Sequence, residues 1–112
     1  MKTVKFFKNN NEVSPVEEFL DALSSKQAKK VAWVMQLLED LEEVPTTYFK
    51  KLVNTNGIWE ICIQIASNAI RILGFLDGDY FIATNGFVKK TQKTPSAEIE
   101  LAEKRKKEYL MR

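Results

Sequence analysis

From Ile58 onward the chain alternates with a period of two, Trp59, Ile61, Ile63 and Ile65 on one side and Glu60, Cys62, Gln64 and Ala66 on the other. Only an extended strand separates two such sets, because successive side chains of a strand point to opposite faces. Ser67-Asn68 offers a two-residue turn into a second apolar run, Ala69 to Leu76, so the segment reads as an antiparallel hairpin. With that turn, Gln64 lies opposite Arg71, Cys62 opposite Leu73 and Glu60 opposite Phe75, while Trp59, Ile61, Ile63 and Ile65 meet Leu76, Gly74, Ile72 and Ile70. One face of the hairpin is wholly apolar and must be covered. The other is mixed and carries Arg71 among Glu60, Cys62 and Gln64.

The cover is supplied upstream. Thr3 to Lys8 has the content of a short strand and Asn9-Asn10-Asn11 ends it. Ser14-Pro15-Val16-Glu17 is a capping box with proline at the first helical position, followed by Val16, Phe19, Leu20 and Leu23 at helical spacing over about ten residues. Ser24 or Ser25 starts a second, longer helix whose stripe includes Ala28, Val31, Met35 and Leu38, and Pro45 bounds it. These helices are expected to form a hairpin over the apolar face, with their Met and aromatic positions in the core.

Downstream, Asp77-Gly78-Asp79 turns the chain into a further strand, Tyr80 to Val88. Thr94-Pro95 then starts a charged last helix, with Thr94 as cap, running to about Met111. The expected architecture is α+β, ordered β-α-α-β-β-β-α: a curved antiparallel sheet with an N-terminal helical hairpin on one face and a C-terminal helix. At 112 residues and 45% hydrophobic composition, residues 1–112 are expected to form a single domain with its own core.

Between the last strand and the last helix lie Lys89, Lys90 and Lys93, on a loop held by ordered elements at both ends. Residues 86–112 hold eight Lys/Arg against four Glu, a balance of +4, whereas the preceding residues carry −2. Such asymmetry suggests an acidic partner for the C-terminal quarter. For Lys104 to Lys107 alone, a solvated helix face is the favoured reading. Cys62 is the single cysteine and there is no histidine, so neither a disulfide framework nor a Cys/His metal cluster can be assembled, and no metal or cofactor is expected. No apolar stretch approaches the length of a bilayer span, and a reducing cytoplasm is the expected setting.

This order of elements, with Leu52, Gly57-Ile58-Trp59-Glu60-Ile61, Ile70-Arg71-Ile72-Leu73, the run Gly86 to Pro95 and then Glu98-Ile99, resembles the RelE/ParE toxin superfamily, and more narrowly its phage-derived HigB-like branch. The resemblance implies a RelE-like fold and a toxin of a type II toxin–antitoxin system. Its partner would be a cognate helix-turn-helix antitoxin, with operator DNA reached only through that antitoxin and no membrane involved. It further implies action in the ribosome as an mRNA interferase, a metal-independent endoribonuclease.

Such cleavage needs the ribose 2′-OH deprotonated, charge on the phosphorus-centred transition state neutralised and the leaving 5′-oxygen protonated. Fixed cations supply the second requirement. By the resemblance, Arg71 would contact the scissile phosphate, and Lys89 and Lys90 would bind RNA and stabilise charge. Lys50, Lys51 and Lys93 would be secondary contacts to mRNA or ribosomal RNA. Glu60 is a possible general base, or an organiser of the cations around it.

Two positions depart from the family pattern. Many relatives carry arginine where this chain has Cys62, and often histidine where it has Asn85. These departures keep open a ParE-like inhibitor of DNA gyrase, or a degenerate homologue retained for antitoxin binding. Tyr48 and Tyr80 show no claim to a catalytic role, and Tyr109 is expected to pack.

Overall fold

The computed structural model describes residues 2–112. The elements are β1 (Thr3–Phe6), α1 (Pro15–Asp21), α2 (Ser25–Asp40), β2 (Phe49–Lys51), β3 (Ile58–Ile65), β4 (Asn68–Asp77), β5 (Tyr80–Lys89) and α3 (Ser96–Leu110). The strands form one sheet in the order β1-β5-β4-β3-β2. Neighbours pair antiparallel except β1, which runs parallel to β5 and makes the sheet mixed. This is the RelE-like α+β arrangement expected from the sequence. It carries one further element, the short edge strand β2, whose three residues are too few to register as an alternating pattern.

The helices start where the capping chemistry puts them. Ser14 accepts a hydrogen bond from the Glu17 amide at 3.1 Å, and Pro15 takes the first helical position. Helix α1 ends after seven residues rather than about ten. A new N-terminus opens immediately, where the Ser24 hydroxyl and the Gln27 side chain close a reciprocal capping box. Val16 of α1 and Val31, Val34 and Leu38 of α2 then bury against Ile61, Ile63, Ile70, Ile72 and Phe81 of the sheet. That is the apolar face predicted from the alternation.

The hairpin register differs from the sequence reading by two residues. Ile65 pairs with Asn68, so Ala66-Ser67 forms the turn, and Cys62 faces Arg71 while Glu60 faces Leu73. Ala66 takes the left-handed conformation with φ 52°, a role that alanine does not advertise. A shift of two preserves every side chain's face. Arg71 therefore still stands among Glu60, Cys62 and Gln64.

The mixed face is less open than the alternation suggests, because α3 crosses it. Ile58 and Leu73 bury against Ala102, with Leu52, Phe87 and Ile99 around them. Phe7, Phe75 and Ile82 form a second small core beside Tyr109, whose ring meets Phe75 edge-on at 5.3 Å. Tyr109 is thus a packing residue, as expected. The helix does not begin as the sequence suggests: Pro95 is the capping position without a side-chain cap bond, and the Thr94 hydroxyl is directed elsewhere.

One irregularity aims the end of β5. Leu73 pairs with Asn85 but Gly74 pairs with Ala83, leaving Thr84 as an extra residue. Gly74 has no room for a side chain, since a Cβ there would meet the Ile82 carbonyl and approach the Phe81 ring to 2.6 Å. The Arg105 guanidinium donates to the Thr84 carbonyl at 2.7 Å, so α3 clasps the bulge.

Candidate functional site

Four strands, β2 to β5, place the polar residues of the mixed face in adjacent rungs. Lys50 pairs with Glu60 and Glu60 with Leu73; Cys62 pairs with Arg71 and Arg71 with Phe87; Ala69 pairs with Lys89. Because Ala69 and Arg71 share a face, as do Phe87 and Lys89, Lys89 is a diagonal neighbour of Arg71. The tertiary structure thereby joins the central-strand arginine to the lysine run.

Glu60 is the hub. Its side chain is fully buried, with Oε1 3.7 Å from Arg71 Nε and 3.8 Å from Lys50 Nζ. The Cys62 thiol donates to the same oxygen at 3.5 Å. Its second oxygen accepts a 2.5 Å hydrogen bond from the Thr94 hydroxyl. One carboxylate thus ties the loop after the lysines to the arginine on β4 and to a lysine on β2. A buried carboxylate requires such partners, since an isolated buried charge is prohibitively costly. Both carboxylate oxygens are therefore engaged by side chains of the sheet and of the loop.

Arg71 is held from two sides. Nη1 donates to the Ile70 carbonyl at 3.0 Å and lies 3.5 Å from the Ile63 carbonyl, while Nε faces Glu60. The side chain keeps 15% of its surface exposed. It forms the shared wall of two hollows. One, of about 400 Å³, is open and lined by Ala69, Arg71, Lys89, Lys90, Thr91 and Gln92. The other, of about 370 Å³, is lined by Lys30, Thr47, Tyr48, Cys62, Gln64 and Arg71.

The sequence-predicted residues divide accordingly. Arg71, Lys89 and Lys90 meet in the first hollow, and Lys50 joins through Glu60. Lys51 does not join them. It pairs with Trp59, on the opposite face, and edges a hollow shared with Lys2, Glu42 and Glu43. Lys93 is exposed on the loop, where its carbonyl accepts from the Thr91 hydroxyl at 2.9 Å, and lines neither of the hollows beside Arg71. Lys30 and Thr47 carry no signal in the sequence, and Tyr48, without a claim to a catalytic role there, lines the second hollow with them. The β2–β3 pairing, with the Cys62 amide donating to the Tyr48 carbonyl at 2.8 Å, brings Thr47 and Tyr48 to Arg71, and the packing of α2 on β3 brings Lys30.

The two departures have structural accounts. Burial pushes the Cys62 thiol above its ordinary pKa, the Glu60 carboxylate adds to this, and Arg71 opposes it. The thiolate is therefore disfavoured near neutral pH, and nucleophilic chemistry with it. Should induction of the chain arrest growth, Cys62→Ser is expected to leave that arrest within about twofold of the parent, and a loss of tenfold or more would restore a chemical role to the thiol. Asn85 is nearly buried beneath α3, its amide donating to the Glu98 carboxylate at 2.9 Å and to the Glu98 carbonyl at 3.2 Å. It serves the docking of α3 rather than the hollows.

The basic cluster on α3 is not simply a solvated face. Arg105 is spent on Thr84, and Lys106 donates to the Asn56 carbonyl at 2.7 Å. Part of the +4 balance thus holds the C-terminal helix in place. Among the described residues, no helix is long and apolar enough to cross a membrane.

The fold and the cationic strip together define a RelE-like α+β domain whose basic residues converge on one arginine of the central strand. The chain belongs to the phage-derived Gp49-like family (DUF891), whose pattern matches residues 18–107. None of the curated proteins compared with it matches.

Proposed function

We propose that this chain is the toxin of a type II toxin–antitoxin pair, of the HigB-like branch of the RelE/ParE superfamily, and that it cleaves mRNA in the ribosome. The observation that carries this reading is the convergence of Arg71, Lys89 and Lys90 on one open hollow, with Arg71 fixed by Glu60 and two backbone carbonyls. Cations held in place before the substrate arrives stabilise developing charge without reorganising at the moment of reaction.

In the reaction, the ribose 2′-oxygen gives up its proton and attacks the adjacent phosphorus. The bond from phosphorus to the 5′-oxygen breaks, its electron pair stays on that oxygen, and a proton is taken up there. The products are a 2′,3′-cyclic phosphate and a 5′-hydroxyl. Arg71 and Lys90 neutralise the charge gathered on the phosphoryl oxygens, and Lys89 holds the backbone beside them. Lys50, Lys51 and Lys93 add longer-range attraction to ribosomal RNA or mRNA, which makes association salt-dependent. Glu60 aligns the cations, both of its oxygens being engaged.

The cognate antitoxin would be a helix-turn-helix protein encoded by a neighbouring frame. Inducing the chain without it and mapping mRNA by primer extension tests the function. Cuts in phase with codons are expected. Supercoiling defects without cuts would replace this reading by gyrase inhibition, the alternative favoured by Cys62 standing where many relatives have an arginine.

A further inference from the structure

The second hollow beside Arg71 has no part in the charge neutralisation above, yet its lining is chemically specific. Lys30 and Arg71 are cations, Tyr48 is aromatic, and Thr47 and Gln64 carry a hydroxyl and a carboxamide. This combination suits a ligand with a flat π-face, hydrogen-bonding edges and an attached anion.

Tyr48 is held as a platform. Its amide donates to the Pro45 carbonyl at 2.9 Å and its carbonyl accepts from Cys62, so the backbone is fixed both to the preceding turn and to β3. Its ring meets Trp33 edge-on, centroids 5.7 Å apart and planes at 80°. Trp33 is itself half exposed, and the Lys30 ammonium lies 4.5 Å over its ring. An exposed tryptophan braced by a lysine thus supports the tyrosine that lines the hollow. Base stacking on such aromatic side chains, beside cations that track the phosphates, is how single-stranded nucleic acid is held without sequence readout.

We infer that the hollow of Lys30, Thr47, Tyr48, Cys62, Gln64 and Arg71 is a nucleobase subsite, in which Tyr48 stacks the base of the nucleotide adjoining the phosphate at Arg71. The assignment rests on the endoribonuclease reading and adds to it a direction. The RNA strand passes from the lysine hollow, over Arg71, toward α2.

The test uses the full chain carrying Trp59→Phe, so that Trp33 is the remaining tryptophan and reports on its neighbour Tyr48. Trp59 lies stacked on Phe49 at 4.7 Å, partly buried against the core and away from the hollow beside Arg71, and phenylalanine preserves that contact. Two probes are titrated: a 2′-O-methyl triadenylate, which cannot be cleaved, and a trinucleotide of the same backbone and charge lacking its bases. The base-bearing probe is expected to quench Trp33 and to bind about tenfold more tightly than the abasic one. Tyr48→Leu, which keeps apolar bulk without a π-face, is expected to erase that difference, and Tyr48→Phe to retain it. Thermal melts identify any variant that has lost its fold.

Equal affinity for the two probes, no binding of either at millimolar concentration, or an unchanged difference in a folded Tyr48→Leu variant overturns the subsite. Failure of the endoribonuclease reading is separately visible as an absence of mRNA cuts in cells. Cuts that persist while the base preference is missing leave that reading standing and remove the subsite alone.

Discussion

On the proposed nuclease reading, replacing Arg71 by alanine is expected to lower mRNA cleavage by at least about 100-fold, the scale on which a single fixed donor to a developing oxyanion contributes. Arg71 is the wall shared by both hollows and is held by Glu60 and by two carbonyls. Lysine at this position keeps the charge but not the fork that reaches Ile63, Ile70 and Glu60 together, and should recover only part of the loss. Cut-site intensity in primer extension, normalised to the folded protein present, is the measurement. Arg71→Ala and Lys90→Ala variants that both retain full growth arrest and full cutting would sink the site assignment.

The largest effect on stability is expected at Glu60. Its alanine variant removes the partner of Arg71 Nε, a buried nitrogen with no hydrogen bond of its own, and also releases Lys50 and Thr94. Breaking a buried pair by deleting one member costs about 3–5 kcal/mol, and the half-exposed Lys50 argues for the lower end, about 3 kcal/mol. Glu60→Gln keeps a hydrogen-bond acceptor for Thr94 and should cost markedly less. Urea unfolding midpoints distinguish the two variants. An alanine variant within about 0.5 kcal/mol of the parent, a change typical of an unremarkable surface site, would show that the cluster holds nothing together.

The parts of this molecule that could be read from its sequence are those governed by period. Alternation from Ile58 to Ile65 assigned each side chain to a face, and the assignment survived a two-residue error in register because the side-chain period of a strand is two. The register itself was not legible. Ser67-Asn68 looks the better turn, yet the chain places Ala66 at positive φ instead. Thr94 shows the same limit. Its position before proline marks a helix start, and only the folded sheet reveals that its hydroxyl goes to a carboxylate on β3.

The site was legible where it lay on strong motifs and hidden where it depended on packing. Arg71, Lys89 and Lys90, each read from a motif, line one hollow, while Lys51 alternates to the other face of a strand too short to be predicted. Lys30 and Tyr48 belong to no motif. Their place beside Arg71 follows from how α2 and the β2 edge meet the hairpin, a long-range matter that local pattern does not encode.

The parallel pairing of β1 with β5 also has a consequence for synthesis. Thr3 finds its partner at Tyr80, so β1 must wait for β5 before it can be zipped into the sheet. Loop-closure entropy delays such non-local pairing. A nascent chain still lacking β5 and the turn at Thr94 therefore has its arginine strand without either the lysine loop or the latch that joins it to Glu60. Completion of the cationic strip in this way follows the synthesis of β5 and of the loop that ends at Thr94.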